Sequence, residues 1–280
     1  MGLEFNLTLK AEDIVPIRDL VLEVSGVYFD ENKFYFIEKR ITKRMKATNS
    51  SSAKEYYRLI KFAEDKKELD ELIVSLTTNE TYFYRNIPQL ESFAEEALPL
   101  ILAEKRKKKD FRLKIWSAAC SSGDEPYTVY ILLKENVPDF SKWKIEIVGT
   151  DIDHYILEKA RKGCYDRRAV KDIPAKILSQ YFVEESGLFK IHDEAKKYVE
   201  FRKVNLMDRR EMRRFSEMDF VFCRNVLIYF DADSRKEVVN RIYDSLNKGG
   251  FIFLGHSESV GKLSAAFKLV KFNKSLSYQK

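Results

Sequence analysis

From Ala11 to about Leu76 the apolar residues recur at intervals of three and four, with no alternation of the kind a strand shows. Ile14, Ile17, Leu20, Val21 and Val24 form the first set, which breaks at Ser25-Gly26. F-Y-F-I-E-K-R-I-T-K-R-M gives a second helix, ahead of the polar turn T-N-S-S-S. A third starts near Ala53 with Tyr56, Tyr57, Leu59, Ile60 and Phe62 as its apolar positions, and a fourth lies around L-D-E-L-I-V-S-L. The pattern predicts a small all-helical domain over 1–76. A linker over 77–92, opening T-T-N-E-T-Y-F-Y-R-N-I-P, matches no clean period. Pro88 helps start a helix that runs toward Ala103 and is ended by K-R-K-K-K-D.

The rest of the chain, 93–280, alternates. Strands are predicted at 113–117, 145–150, 198–203, 218–224 and 251–255, and helices at 125–135, 154–162 and 232–247, with Gly249-Gly250 stopping the last helix. This order predicts an α/β fold: a Rossmann-like, mostly parallel sheet covered by helices on both faces. The stretch over 177–203 departs from the alternation. There Y-F-V-E-E-S-G-L-F-K-I turns at Glu185-Ser186-Gly187 between short β-like runs and reads as a small β insertion. The final F-K-L-V-K-F-N-K-S-L-S-Y-Q-K suits a closing antiparallel hairpin, and no fused domain is expected after it.

The chemistry concentrates between Leu113 and Asp153, where a strand, a small-residue turn, a helix, a second strand and an acid follow one another. That is the first half of a nucleotide-binding sheet, and an acid after the second strand can bond a ribose diol. The turn holds Ala118, Ala119, Cys120, Ser121, Ser122 and the single glycine Gly123, in place of G-x-G-x-x-G. A pyrophosphate needs the close backbone approach that extra glycines permit. The turn therefore points to a ligand with a ribose and no phosphates, which S-adenosylmethionine is and NAD or ATP is not. Asp151 is assigned the ribose, and Asp153 the cap of the helix starting at His154. Glu125, in the first turn of the intervening helix, complements its dipole or faces the amino group of an amino-acid ligand. Asp124 is expected to be its exposed neighbour, and Trp116 to lie in the core.

T-T-N-E-T-Y-F-Y-R (77–85), W-S-A-A-C-S-S-G-D-E-P-Y (116–127), T-D-I-D (150–153), V-N-L (204–206), F-C-R-N-V-L-I-Y-F (222–230) and G-H-S-E-S (255–259) occur in this order. In that combination the chain resembles the CheR chemotaxis receptor methyltransferases over nearly its whole length. The resemblance implies methyl transfer from S-adenosylmethionine to glutamate side chains of chemoreceptors, with no metal. It implies cofactor contacts from Asn79, Thr81, Arg85, Glu125, Asp151, Asn205, Leu206, Arg224 and Asn225. Asn205 and Leu206 are expected to border the adenine. Arg85 is expected near the incoming carboxylate, where a guanidinium can hold it bidentately. Tyr229 is the second catalytic candidate, although read alone it is an aromatic core residue between Ile228 and Phe230. His256 is not needed as a base.

The resemblance also assigns the basic stripe Lys39, Arg40, Lys43 and Arg44, with Lys46, to docking on acidic methylation helices of receptors. Some members of the family grip a receptor's C-terminal tail with the β insertion. V-E-E-S-G between Phe182 and Leu188 is short for that, so docking without a tail is expected.

Composition narrows this picture only modestly. A net charge of +6 from 50 bases and 44 acids does not mark a nucleic-acid binder. Cys120, Cys164 and Cys223 are too dispersed for a zinc site or a disulfide framework. The N-terminus lacks the features of a signal peptide, and no apolar run reaches membrane-span length, so a soluble, cytoplasmic protein is expected. Two rivals stay open. One is a methyltransferase acting on nucleic acid or a small molecule, and the other a module that senses S-adenosylmethionine without catalysis.

Overall fold

The computed structural model describes residues 9–260 and 264–280; the N-terminal residues read for a signal peptide lie partly outside these. The chain divides into two compact units, Met1–Thr78 with Tyr229–Arg235, and Asn79–Ile228 with Lys236–Lys280. The helical unit contains α1 (Ala11–Ser25), α2 (Phe34–Ala47), α3 (Ala53–Phe62) and α4 (Lys67–Leu76). Their buried positions follow the predicted periods. Ile14, Ile17, Leu20 and Val21 of α1, Ile37, Ile41 and Met45 of α2, and Leu69, Leu72, Ile73 and Leu76 of α4 are all buried. On α3 only Tyr56 and Ile60 of the expected apolar set are buried, and Phe62 is 71% exposed. The short segment Tyr229–Arg235 belongs to this unit as well, which the sequence pattern did not indicate. Val27 bridges Phe230, and the Tyr28 amide donates to the Tyr229 carbonyl at 2.8 Å.

The second unit opens with α5 (Ile87–Ser92), which passes through a π turn (Phe93–Ala97) into α6 (Leu98–Lys107). The wide turn falls where Pro99 has no amide to offer the preceding turn, and Leu98 N reaches back to the Phe93 carbonyl instead. Then come β1 (Arg112–Ala118), α7 (Asp124–Asn136), β2 (Lys144–Asp151), α8 (His154–Lys162), β3 (Cys164–Tyr165), α9 (Ala175–Tyr181), β4 (Phe182–Glu185) and β5 (Leu188–Ile191). The chain continues with α10 (Asp193–Lys196), β6 (Val199–Lys203), α11 (Arg209–Met212), β7 (Met218–Cys223), α12 (Ala232–Ser245), β8 (Leu246–Leu254), β9 (Lys268–Lys271) and β10 (Leu276–Gln279).

The main sheet has the order β6-β2-β1-β7-β8-β10-β9. Its strands are parallel from β6 to β8; in the closing hairpin β10 runs antiparallel to β8, and β9 turns back antiparallel to β10. The strand order reverses between β1 and β7, so a crevice opens beyond their carboxyl ends. Phe93 lies edge-on to Phe220, Phe222 and Phe253 and fixes the α5–α6 layer on the sheet. Trp116 is buried, stacked on Phe215 at 4.2 Å with its Nε1 donating to Thr150. No helix among the described residues is long and apolar enough to cross a membrane.

Two boundaries differ from the sequence pattern. Gly249 and Gly250 do not stop α12, which ends at Ser245; they lie inside β8, where its register on β7 slips. Gly249 takes φ +86°, and a Cβ on Gly250 would lie 3.0 Å from the carbonyl oxygens of Asn247 and Met218, so both serve the bulge. The small sheet, order β3-β5-β4, begins before the expected 177–203 stretch, and β6 at that stretch's end pairs with β2 in the main sheet.

Candidate active site

The turn after β1 is held by its own amides. Cys120 N donates to the Thr150 carbonyl at 2.8 Å, Ser121 N to Asp151 Oδ2 at 2.8 Å, and Gly123 N to the Cys120 carbonyl at 3.1 Å. Ala119, Ser121 and Gly123 all have left-handed φ, of +61°, +49° and +85°. A phosphate cradle presents such amides outward, whereas these three are already engaged. The one glycine is also spent: a Cβ on Gly123 would lie 2.9 Å from Ala160 Cβ and from the Phe201 ring. Its role is the close packing of α8 and β6 on the turn. The site therefore suits a ligand without phosphates.

Asp151 ends β2 with its carboxylate buried. Oδ2 accepts from Ser121 N and Oδ1 from Asp153 N at 3.0 Å. Burial pushes its pKa up to about 6 against these two donors. Asp153 caps α8, with Oδ1 accepting from Tyr155 N and Ile156 N, while Oδ2 accepts from Asn79 Nδ2 at 2.7 Å. The Asn79 carbonyl accepts in turn from Ser121 Oγ. Asn79 is thus tied to both the turn and the second acid.

Across the crevice, Glu125 at the start of α7 has both oxygens engaged. Oε1 accepts from Ser117 Oγ at 2.6 Å and Oε2 from Arg224 Nη1 at 3.0 Å. Arg224 is 8% exposed, donates through Nη2 to the Arg85 carbonyl, and leaves its buried Nε without a partner. One guanidinium so joins the exit of β7, the head of α7 and the 79–85 segment. It positions these parts, and the cofactor contact that the resemblance implies for Arg224 stands beside that role. Four lone-pair sites on the Glu125 carboxylate still allow it to accept from a ligand ammonium.

Arg85 lies between two left-handed residues, Tyr84 at φ +58° and Asn86 at φ +65°. Its Nη1 donates to the Glu80 carbonyl at 2.9 Å, and its guanidinium sits 5.6 Å from the Tyr82 ring centroid. Phe83 anchors the segment, fully buried and edge-on to Tyr165 and Phe182, with its amide donating to Ala169. Thr81 is half-buried in the same segment. Asn205 and Leu206 follow β6: Asn205 Oδ1 accepts from Met207 N, and Leu206 is buried with its carbonyl accepting from Arg241. Asn225 follows β7 with φ +58° and is half-buried. Asn79, Arg85, Glu125, Asp151, Arg224 and Asn225 therefore all stand on segments at the carboxyl edge of the main sheet. Tyr229 is half-buried and belongs to the helical unit.

One expectation fails at this site. Asp124 is not exposed beside Glu125 but fully buried, with Oδ2 accepting from Ser122 Oγ and Oδ1 unpartnered. As the first residue of α7 it faces the turn that folds back over it, and burial raises its pKa to about 6. Sequence reasoning also passed over Ser117, which holds Glu125, and Glu258, which binds the backbone after β7. Ser117 gave no signal beyond its place in a strand. Glu258 lay in the quoted G-H-S-E-S run with no role attached.

On α2 the stripe divides. Arg44 forms a bidentate pair with Glu68, reaches Glu71, and shares Glu68 with the Tyr56 hydroxyl, so it braces α2 against α4. The Glu68 carboxylate raises the Arg44 pKa further. Arg40 is half-buried over the Phe36 ring. Lys39, over Tyr35, and Lys43 stay exposed, as does Lys46. Among the described residues no cluster of His, Cys, Asp and Glu has the makings of a metal site.

The CheR methyltransferase SAM-binding domain matches residues 79–276, and the CheR methyltransferase all-alpha domain matches residues 12–77. The chain is 40% identical to "Chemotaxis protein methyltransferase 2" of Vibrio cholerae, over 98% of this chain and 95% of that protein. It is 31% identical to "Chemotaxis protein methyltransferase" of Borreliella burgdorferi, over 91% of this chain and 90% of that protein.

Proposed function

Because the chain belongs to the CheR family of S-adenosylmethionine-dependent chemotaxis protein methyltransferases, we propose that it esterifies glutamate side chains on the cytoplasmic methylation helices of chemoreceptors. The observation that carries this reading is the pair of carboxylates, Glu125 and Asp151, on either side of a turn whose amides are consumed internally. That pair of acceptors fits an amino-acid nucleoside: Glu125 would hold its ammonium and Asp151 its ribose hydroxyls. Asn205 and Leu206 would border the adenine, and Asn79, Thr81 and Asn225 would complete the rim.

When bound, S-adenosylmethionine supplies an electrophilic methyl group carried on positive sulfur. Arg85 receives and aligns the acceptor carboxylate. A glutamate with an ordinary pKa of about 4.3 is already ionised at pH 7, so no residue has to remove a proton. The contribution of the chain is alignment: Arg85 would orient the acceptor carboxylate, and the residues that hold the cofactor would fix it for the transfer. Lys39 and Lys43 would meet the acidic receptor helices, and the receptor's C-terminal tail would not be required.

Incubation with methyl-labelled S-adenosylmethionine and receptor-bearing membranes, followed by mild alkali, tests the reading. Labelled methanol released by alkali is the expected result. Alkali-stable label would move the acceptor to nitrogen or carbon, and an absence of label despite cofactor binding would favour a sensing module.

A further inference from the structure

Beside the acids assigned to the cofactor stands another, bound to backbone amides. Glu258 follows β8, and its carboxylate gathers backbone amides from the exits of two neighbouring strands. Oε2 accepts from Asn225 N at 2.8 Å and from Gly255 N at 2.7 Å, and Oε1 accepts from Ile228 N at 3.3 Å. Glu258 N donates back to the Gly255 carbonyl at 2.9 Å and closes the turn. β7 and β8 pair in parallel with Cys223 opposite Leu254, so both strands end beside this one anion.

We propose that Glu258 is a positioning residue for the cofactor site: it fixes the backbone at the exit of β7 so that Asn225 is presented to the ligand. The inference deepens the reading above and rests on Asn225 being a cofactor contact. Asn225 takes φ +58°, a left-handed conformation that asparagine tolerates better than most L-residues and that its surroundings still have to fix. The Glu258 carboxylate supplies that hold. A carboxylate suits the task because three donors converge and none of them accepts. A glutamine would offer one oxygen and set an NH2 against an amide. Gly255 is matched to the acid, since a Cβ there would lie 2.6 Å from Glu258 Oε2 and 2.9 Å from Asn225 N.

The test measures S-adenosylhomocysteine affinity by calorimetry on the full chain for Glu258→Gln, Asn225→Ala and the double variant. Each single change is expected to weaken binding about tenfold, and the double variant to be no weaker than the weaker single, because both act through one group. Receptor KM at saturating cofactor should not move, which separates positioning from general damage. Gly255→Ala, which drives a methyl group into the same carboxylate, should reproduce the loss and replaces Glu258→Gln if that variant does not fold. Full affinity in Glu258→Gln beside a loss in Asn225→Ala overturns the role of Glu258 and leaves Asn225 in the site. Losses that multiply in the double variant overturn it too. Full affinity in Asn225→Ala removes Asn225 from the site, and the role of Glu258 falls with it.

Discussion

Asp151 is asked to be ionised in a place that disfavours charge. Two backbone amides support its carboxylate, yet burial wins and lifts the pKa from 3.8 to about 6. The folded chain therefore keeps a proton that the unfolded chain has released between these values, and stability falls as pH rises through that window. Asp124 shifts in the same direction for the same reason. Protonation turns one Asp151 oxygen into a donor, so the carboxyl can no longer take both ribose hydroxyls in the same way, and ligand binding has the opposite slope. Cofactor affinity should weaken by about tenfold per pH unit below about 6. Asp151→Asn should bind weakly at pH 7.5 and lose this slope, whereas Asp124→Asn should keep it. A flat calorimetric profile in the unaltered protein would take Asp151 off the ribose. Arg85 makes a different demand. Its guanidinium touches a carbonyl and a ring but no acid side chain among the described residues, so it is available to an incoming carboxylate. Arg85→Ala should cut kcat at least about a hundredfold with little change in Tm, because alignment is the chemistry. Unchanged initial rates would remove Arg85 from the mechanism.

Within the elements, two adjacent bases do different work. Arg44 and Lys43 are neighbours in sequence, but Arg44 is committed to Glu68 and Glu71 on α4 while Lys43 is exposed. Arg44→Ala would leave the Glu68 carboxylate, only 13% exposed, without its cation and should cost about 3 kcal/mol in thermal or urea unfolding. Lys43→Ala should cost less than about 0.5 kcal/mol. Equal stabilities would show the Arg44 pair to be no brace. The charge spacing alone could not separate the two, because the partner acids lie a helix away at Glu68 and Glu71. Regular elements were legible where period and termini agree: the burial of α1 and α2, the five parallel strands, and the Asp153 cap of α8. What stayed hidden depends on contacts distant in sequence. Gly250 looks like a helix stop until the Met218 carbonyl closes on it, and Asp124 looks exposed until the turn folds back over it. Likewise the link from Arg224 to Glu125 joins residues 99 positions apart and has no local signature.

For the whole molecule, the open question is how an acidic helical receptor is held long enough for methyl transfer. Two surfaces compete for that task. The small sheet would have to grip a peptide by adding a strand, and its free edges are β4 and β3. β3 has only two residues, and β4 presents Glu184 and Glu185 to solvent. Short, charged edges of this kind discourage strand addition. The β4–β5 connection is the two-residue turn Ser186-Gly187, with φ of +53° and +78°, so no longer loop is present to close over a peptide. On α2, by contrast, Lys39, Lys43 and Lys46 stand exposed, Lys39 over the exposed Tyr35 ring. Attraction between such a face and an acidic helix acts on encounter and is screened by salt. Lys39→Glu with Lys43→Glu should therefore raise the receptor KM about tenfold or more and flatten its dependence on salt, leaving cofactor affinity intact. Receptors truncated at the C-terminal tail should be methylated at the full rate, and a tail peptide should show no binding by calorimetry. Loss of methylation on truncation, with the α2 variant unaffected, would transfer docking from the helical face to the small sheet.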